Sequence, residues 1–167
     1  MNATEFVRAG LPWMLVILAC SKRKNPTATR VRDLYTGQLH AMGRAIAEQV
    51  EEQGGRWYVL SGLYGALAPD EVGEVYDHAV PRSGVERDRW ALAVQSRIRR
   101  DLELVPPTQR GPALVLAGER YTRGLALPAL IESAWGVETH TPLRGMGIGR
   151  QLHHLKQALI ARGLEAR

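Results

Sequence analysis

Three stretches of the chain share one design, and that repetition restricts the available folds more than any single motif does. "WMLVILACSKRK" (13–24), "RWYVLSGLYGAL" (56–67) and "PALVLAGERYTR" (112–123) each start as an unbroken apolar run, pass a small residue and open into a polar or glycine-containing loop. Uninterrupted runs rich in Val, Ile and Leu are expected where a strand is buried on both faces, as in a parallel sheet covered by helices. Helical periodicity fills the gaps, as crossovers between parallel strands require. Tyr35, Leu39, Met42, Ile46 and Val50 fall three or four apart, with Gly54-Gly55 as a stop. Trp90, Val94, Ile98 and Leu102 form a second stripe, ending before Pro106-Pro107. A weaker helix over 121–135 is interrupted by Pro128, and Ile148, Leu152, Leu155 and Leu159 follow a glycine-rich turn. "GVETHTP" (136–142) suits a short fourth strand. The expectation is a single α/β domain over residues 1–167, with 1–11 as an N-terminal extension. It is a three-layer α/β/α sandwich around a mainly parallel sheet of about four strands.

The apolar run ending in Ala19-Cys20 also resembles a lipoprotein export signal. Glu5 stands against Arg8 where a basic leader is wanted, Leu18 stands where a small residue is preferred, and export would remove the first strand. A buried strand is the better reading. At 45% hydrophobic and 23% charged, 167 residues suffice for one core. One cysteine cannot form an internal disulfide, which fits a reducing, cytoplasmic setting. No apolar run approaches the roughly 18 residues of a membrane span, and no cluster has zinc-site spacing, so neither membrane, metal nor cofactor is expected. No obligate protein partner is evident. A net charge of +5 and a pI near 9.8 favour anionic partners: a nucleotide, a nucleobase-containing metabolite or a nucleic acid.

In open α/β sheets ligands bind beyond the carboxyl ends of the strands, so the loops "CSKRKN", "SGLYG" and "GERYT" are expected near one another. Cys20 beside Lys22 and Lys24 has the setting of a lowered-pKa thiol, although a small space-filling cysteine is the simpler reading. Ser21, Lys22 and Lys24 are stronger candidates for ligand contact. In "SGLYGALAPDEVGEVYD" (61–77), Ser61 and Gly65 allow tight turns that present backbone amides. Tyr64 and Tyr76 offer faces for stacking a base, and Asp70 and Asp77 offer acceptors or a general base. Gly118 and Tyr121 open the helix after the third run, where amides suit an anion. Among six arginines at positions 82, 87, 89, 97, 99 and 100, Arg97 and Arg100, together with Lys22 and Arg23, are candidates for tracking a nucleic-acid backbone. Glu86, Asp88 and Asp101 interrupt that helix, as on an ordinary solvated face.

"ACSKRK", "RDLYTG", "LSGLYGALAPDEVGEVYD", "AGERYTR" and "PLRGMGIG" together resemble a family of small uncharacterised bacterial, archaeal and phage domains, over about residues 13–160. More distantly the chain looks like the DNA-binding YaaA peroxide-stress proteins. It is also similar to the Cys-Ser-x-x-Lys domain of archaeosine synthases, which belongs with the uracil-DNA-glycosylase-like folds. The resemblance places the Cys-Ser-x-x-Lys motif at Cys20, Ser21 and Lys24, the Leu-Tyr motif at Leu34 and Tyr35, the turn at Ser61, Tyr64, Gly65 and Leu67, and the closing pair at Tyr76 and Asp77. Asn25-Pro26 follows the lysine where archaeosine synthases carry Pro-Tyr, and the first loop lacks the acid of uracil glycosylases, so those two activities are not carried over.

The leading expectation is an enzyme on a nucleobase, nucleoside or nucleic acid, a glycosidase or transferase at an N-glycosidic bond or on a modified base. Ser21, Lys24, Tyr64 and Asp77 are its catalytic candidates; Cys20, Lys22, Ser61, Gly65, Asp70, Tyr76, Gly118 and Tyr121 line its ligand. The alternatives are a non-catalytic YaaA-like DNA-binding protein and a small-molecule sensor.

Overall fold

The computed structural model describes residues 13–165. The proposed N-terminal extension, 1–11, lies outside the described residues. The three apolar runs form β1 (Leu15–Ala19), β2 (Arg56–Ser61) and β4 (Ala113–Leu116), with β1 central and pairing parallel with both others. Alternate residues of each strand feed separate cores. Val16, Leu18, Trp57, Val59, Leu114 and Leu116 face one, while Leu15, Ile17, Tyr58, Leu60, Ala113 and Val115 face the other. Burial on both sides is why the runs show no polar alternation.

Helices α2 (Gln38–Glu52) and α6 (Ile148–Arg162) close the first core, joined by α1 (Val31–Leu34). The second core is closed by α3 (Gly84–Glu103) and α5 (Leu127–Trp135). Trp90, Val94, Ile98 and Leu102 all turn inward from α3, as their spacing demands. The weak helix expected over 121–135 is two pieces, α4 (Glu119–Thr122) and α5, separated at Ala126, whose φ is 45°. Pro128 lies in the first turn of α5, where its missing N–H costs nothing, so it starts a helix and does not kink one.

Among the described residues the sheet has five strands, against the about four expected from sequence, in the order β3 (Gly65–Leu67), β2, β1, β4, β5 (Thr139–His140). The "GVETHTP" strand is β5 (Thr139–His140), parallel to β4. The additional one is β3 (Gly65–Leu67), antiparallel to β2 with Gly65 opposite Ser61. It lies inside the segment read as a long loop, because three residues are too few to display alternation. Gly65 at φ 77° makes the reversal possible. Tyr35 is likewise not helical: it pairs with Lys24 in an isolated antiparallel bridge, and Gly37 caps α2 two residues later.

Candidate functional site

The chain runs from β1 to β2 on one side and returns to β4 on the other, so the strand order reverses between β1 and β4. At such a reversal the loops leaving the two strands part in opposite directions and open a crevice. A cavity of about 660 Å³ occupies that place. Its apolar wall includes Leu18, Leu39, Leu116, Met146 and Leu152, and its polar lining includes Cys20, Lys22, His40, Arg120, Tyr121 and Gln151. That volume and that mixture of walls are typical of small-molecule sites, which run from roughly 300 to 1,000 Å³. Among the described residues no cluster of His, Cys, Asp and Glu is arranged to hold a metal.

The first and third sequence loops meet here. Tyr121 donates its hydroxyl hydrogen bond to the Cys20 carbonyl at 3.2 Å, and its oxygen lies 3.4 Å from Cys20 Sγ. Burial, then the nearby cysteine, raises the Tyr121 pKa, so the hydroxyl stays protonated at neutral pH and remains a donor. Gly118 caps the short α4 and lies beside the Gln151 amide in the lining of the cavity.

Ser21 lines the cavity with its hydroxyl already engaged. It donates to the Arg23 carbonyl at 2.7 Å and receives the Gly37 N–H at 3.0 Å. A Cβ on Gly37 would stand 2.5 Å from Ser21 Cβ, so glycine is what lets the β1 loop seat against the start of α2. Ser21 therefore braces the loop while lining the cavity.

The middle loop forms a second cluster on the β2 side of β1. Ser61, fully buried, bonds Tyr76 hydroxyl to hydroxyl at 2.7 Å, Tyr76 meets the Tyr35 hydroxyl at 3.0 Å, and the Tyr64 N–H donates to Ser61. The Tyr64 ring stands edge-on to Tyr76 at 5.4 Å, and the Lys24 ammonium lies 4.1 Å from the Tyr76 ring centre. Burial is the main reason the Tyr35 and Tyr76 pKa values are raised. Lys24 and Tyr64 thus gather around Tyr76 and not in the cavity. Asp77, beside them in sequence, is exposed and joins neither group.

Asp70 is also outside. Its carboxylate receives Arg32 at 2.8 and 3.0 Å, and its carbonyl receives Arg30, which ties 69–71 to α1. Arg97 is bound to Asp101 and to Glu71, whose other oxygen accepts the Ala68 N–H. Its guanidinium ties α3 to the 68–71 turn. Arg100 is two-thirds exposed beside Asp101, and Arg23 is exposed, its carbonyl accepting Ser21 and Thr36.

His40 and Gln151 are buried polar residues of the cavity lining that sequence reasoning passed over; His40 is the more unusual. It is 3% exposed and belongs to the wall, with Nδ1 2.8 Å from the Ala19 carbonyl. A carbonyl only accepts, so the proton sits on Nδ1 and Nε2 carries a lone pair. Nε2 has no partner among the described residues. Burial holds the pKa down at about 4, so the ring is neutral at pH 7. The available signal was its spacing from Gly43 and Ala47, which share the buried face of α2. Arg87 was seen only as one of six surface arginines. It is buried and donates to the carbonyls of Arg120, Tyr121 and Arg123, fixing α4 from below.

No curated protein and no solved structure matches the chain. The sequence model of DUF6884, a family of unknown function, matches residues 15–157, and the chain belongs to that family.

Proposed function

We propose that the chain binds a small molecule of the nucleobase, nucleoside or nucleotide class in the cavity between β1 and β4, and acts on it as a glycosidase or transferase. The sheet is taken as the middle of a three-layer arrangement. The observation that carries the reading is the position of the cavity: it opens where the strand order reverses, and its lining includes both aliphatic residues suited to ring faces and polar groups. Leu39 and Leu152 flank the ring, Tyr121 donates to an acceptor on it, and Lys22 and Arg120 attract charge at the mouth. Cys20, beside the Tyr121 hydroxyl, is the nucleophilic atom nearest that arrangement, ahead of Ser21, whose hydroxyl is engaged.

A thermal-shift panel of free bases, nucleosides and nucleotides tests it. At least one class should raise Tm, and Leu152→Trp, which fills the cavity, should remove the shift. A panel with no response sinks the reading.

One observation favours a second reading, nucleic-acid binding in the manner expected of a YaaA-like protein. Arg82, Arg120 and Arg123 line a shallow recess of about 380 Å³ with Arg87 and Glu119. Phosphate-backbone binding through it would fall steeply with salt on a log-log plot; a flat plot removes the reading.

A further inference from the structure

Arg87 is 8% exposed, and every hydrogen bond of its guanidinium goes to a neutral carbonyl: those of Pro81, Arg120, Tyr121 and Arg123. No carboxylate among the described residues pairs with it, whereas Arg32 and Arg97 each grip two. The carbonyls it holds belong to the segments that carry Arg82, Arg120 and Arg123. Those three arginines are exposed, and with Arg87 they line one recess of about 380 Å³. A buried cation is thus spent on bringing three more cations together. Burial, then the charge of Arg123, lowers the Arg87 pKa, as in a positive field that the chain does not neutralise. The one acid lining the recess is Glu119. It stands 3.8 Å from Arg123 with both side chains more than half exposed, a pairing worth little in water.

The recess also adjoins the cavity between β1 and β4. Glu119 and Arg120 line both, so the two spaces meet at α4. The positive charge is gathered in one place. A nucleic-acid backbone spreads its charges along the strand, one per phosphate. A di- or triphosphate concentrates several on neighbouring groups, and guanidinium forks match their oxygens.

We propose that the recess holds the di- or triphosphate end of a nucleotide whose base and sugar occupy the cavity, with Arg82, Arg120 and Arg123 on its phosphate oxygens and Arg87 fixing the backbone that presents them. Holding the three arginines in place before the ligand arrives lowers the cost of ordering them on binding. The assignment rests on the reading of the cavity as a nucleotide-class site, and adds the phosphorylation state of the ligand and which end of it lies where.

Calorimetric titration of the full chain with the four ribonucleosides, their 5′-mono-, di- and triphosphates and inorganic tripolyphosphate tests it. For at least one base the triphosphate should bind about tenfold or more tighter than the nucleoside, and tripolyphosphate should compete with it. Combining Arg82→Gln with Arg123→Gln removes two exposed charges and leaves Arg87 in place, so Tm should stay within about 2 °C of wild type. The double variant should lose about tenfold in triphosphate affinity and keep the nucleoside within about twofold. Should it fail to fold, Arg82→Gln alone gives the same pattern with a loss of about threefold. If nucleoside and triphosphate bind equally, or the double variant leaves triphosphate affinity unchanged, the subsite is overturned and the reading of the cavity stands. A single-stranded oligonucleotide that binds through Arg82 and Arg123 while triphosphates do not would overturn it in favour of nucleic acid. If tripolyphosphate binds but no nucleoside or nucleotide does, the two spaces are not one site, and the proposal falls with the reading of the cavity. If no compound binds, both fall.

Discussion

On the β2 side of β1, Tyr35, Tyr76 and Ser61 pass hydrogen bonds to one another at 3.0 and 2.7 Å, and the Tyr64 amide closes the group. On the β4 side, His40 Nε2 has no hydrogen-bond partner among the described residues, and neither α2 nor α6 has a side-chain cap there. Both regions lie at the carboxyl ends of the same sheet, and both are lined by residues whose chemistry suits a ligand. What separates them is whether that chemistry is already used. Tyrosine, serine and lysine in a closed network give rigidity to the edge of the sheet. On the other side a buried histidine nitrogen stands without a partner among the described residues, beside a cavity lined by both apolar and polar residues.

Acid should expose the open side most. His40 in the folded chain titrates near 4, against 6.5 in the unfolded chain. Between those values the unfolded state takes up a proton that the folded state refuses, so the stability is complete above pH 6.5 and lost as pH falls to 4. The loss from this group amounts to about 3 kcal/mol. Urea titrations of wild type and His40→Asn at pH 7 and pH 4 isolate it, because other groups act in both chains. A gap between the two curves that does not narrow in acid would mean that His40 is not held neutral by burial.

A smaller loss is expected on the closed side. Ser61→Ala leaves the Tyr76 hydroxyl and the Tyr64 amide without their partner and should cost about 1–3 kcal/mol in chemical denaturation, with ligand affinity unaltered. An affinity loss exceeding the stability loss would show that the tyrosine group takes part in binding and would dissolve the contrast. The least effect belongs to Asp77→Asn, at an exposed position in neither region: within about 0.5 kcal/mol of wild type, with binding and turnover unchanged. A loss of turnover there would return the aspartate to the site.

The central strands were legible because burial on both faces leaves a continuous apolar run, and α3 because its stripe turns at a strict helical period. β3 was not, since its three residues owe their conformation to the reversal at Gly65 and to β2, which pairs with them. Of the three loops expected near one another, those after β1 and β4 meet, as Cys20 and Tyr121 do, while the one after β2 forms its own group around Tyr76. Which polar residues are committed elsewhere was not legible. Ser21 and Arg97 read as free groups in sequence and are consumed by a carbonyl, an amide and two carboxylates that only the fold brings near. His40 was hidden by the opposite problem: a polar residue inside an apolar helix face looks like an interruption until the sheet is placed against it.

Arg87 belongs to α3, on the face of the sheet away from α2 and α6, yet it grips the carbonyls of Arg120, Tyr121 and Arg123 and rests 4.5 Å from the Trp90 ring. The wall that carries Tyr121 is thus anchored to α3 and to the second core, against which Tyr121 itself packs. Substitutions around Trp90 give a means of widening or tightening the cavity from a position its occupant never touches, a tuning screw at the back of the instrument.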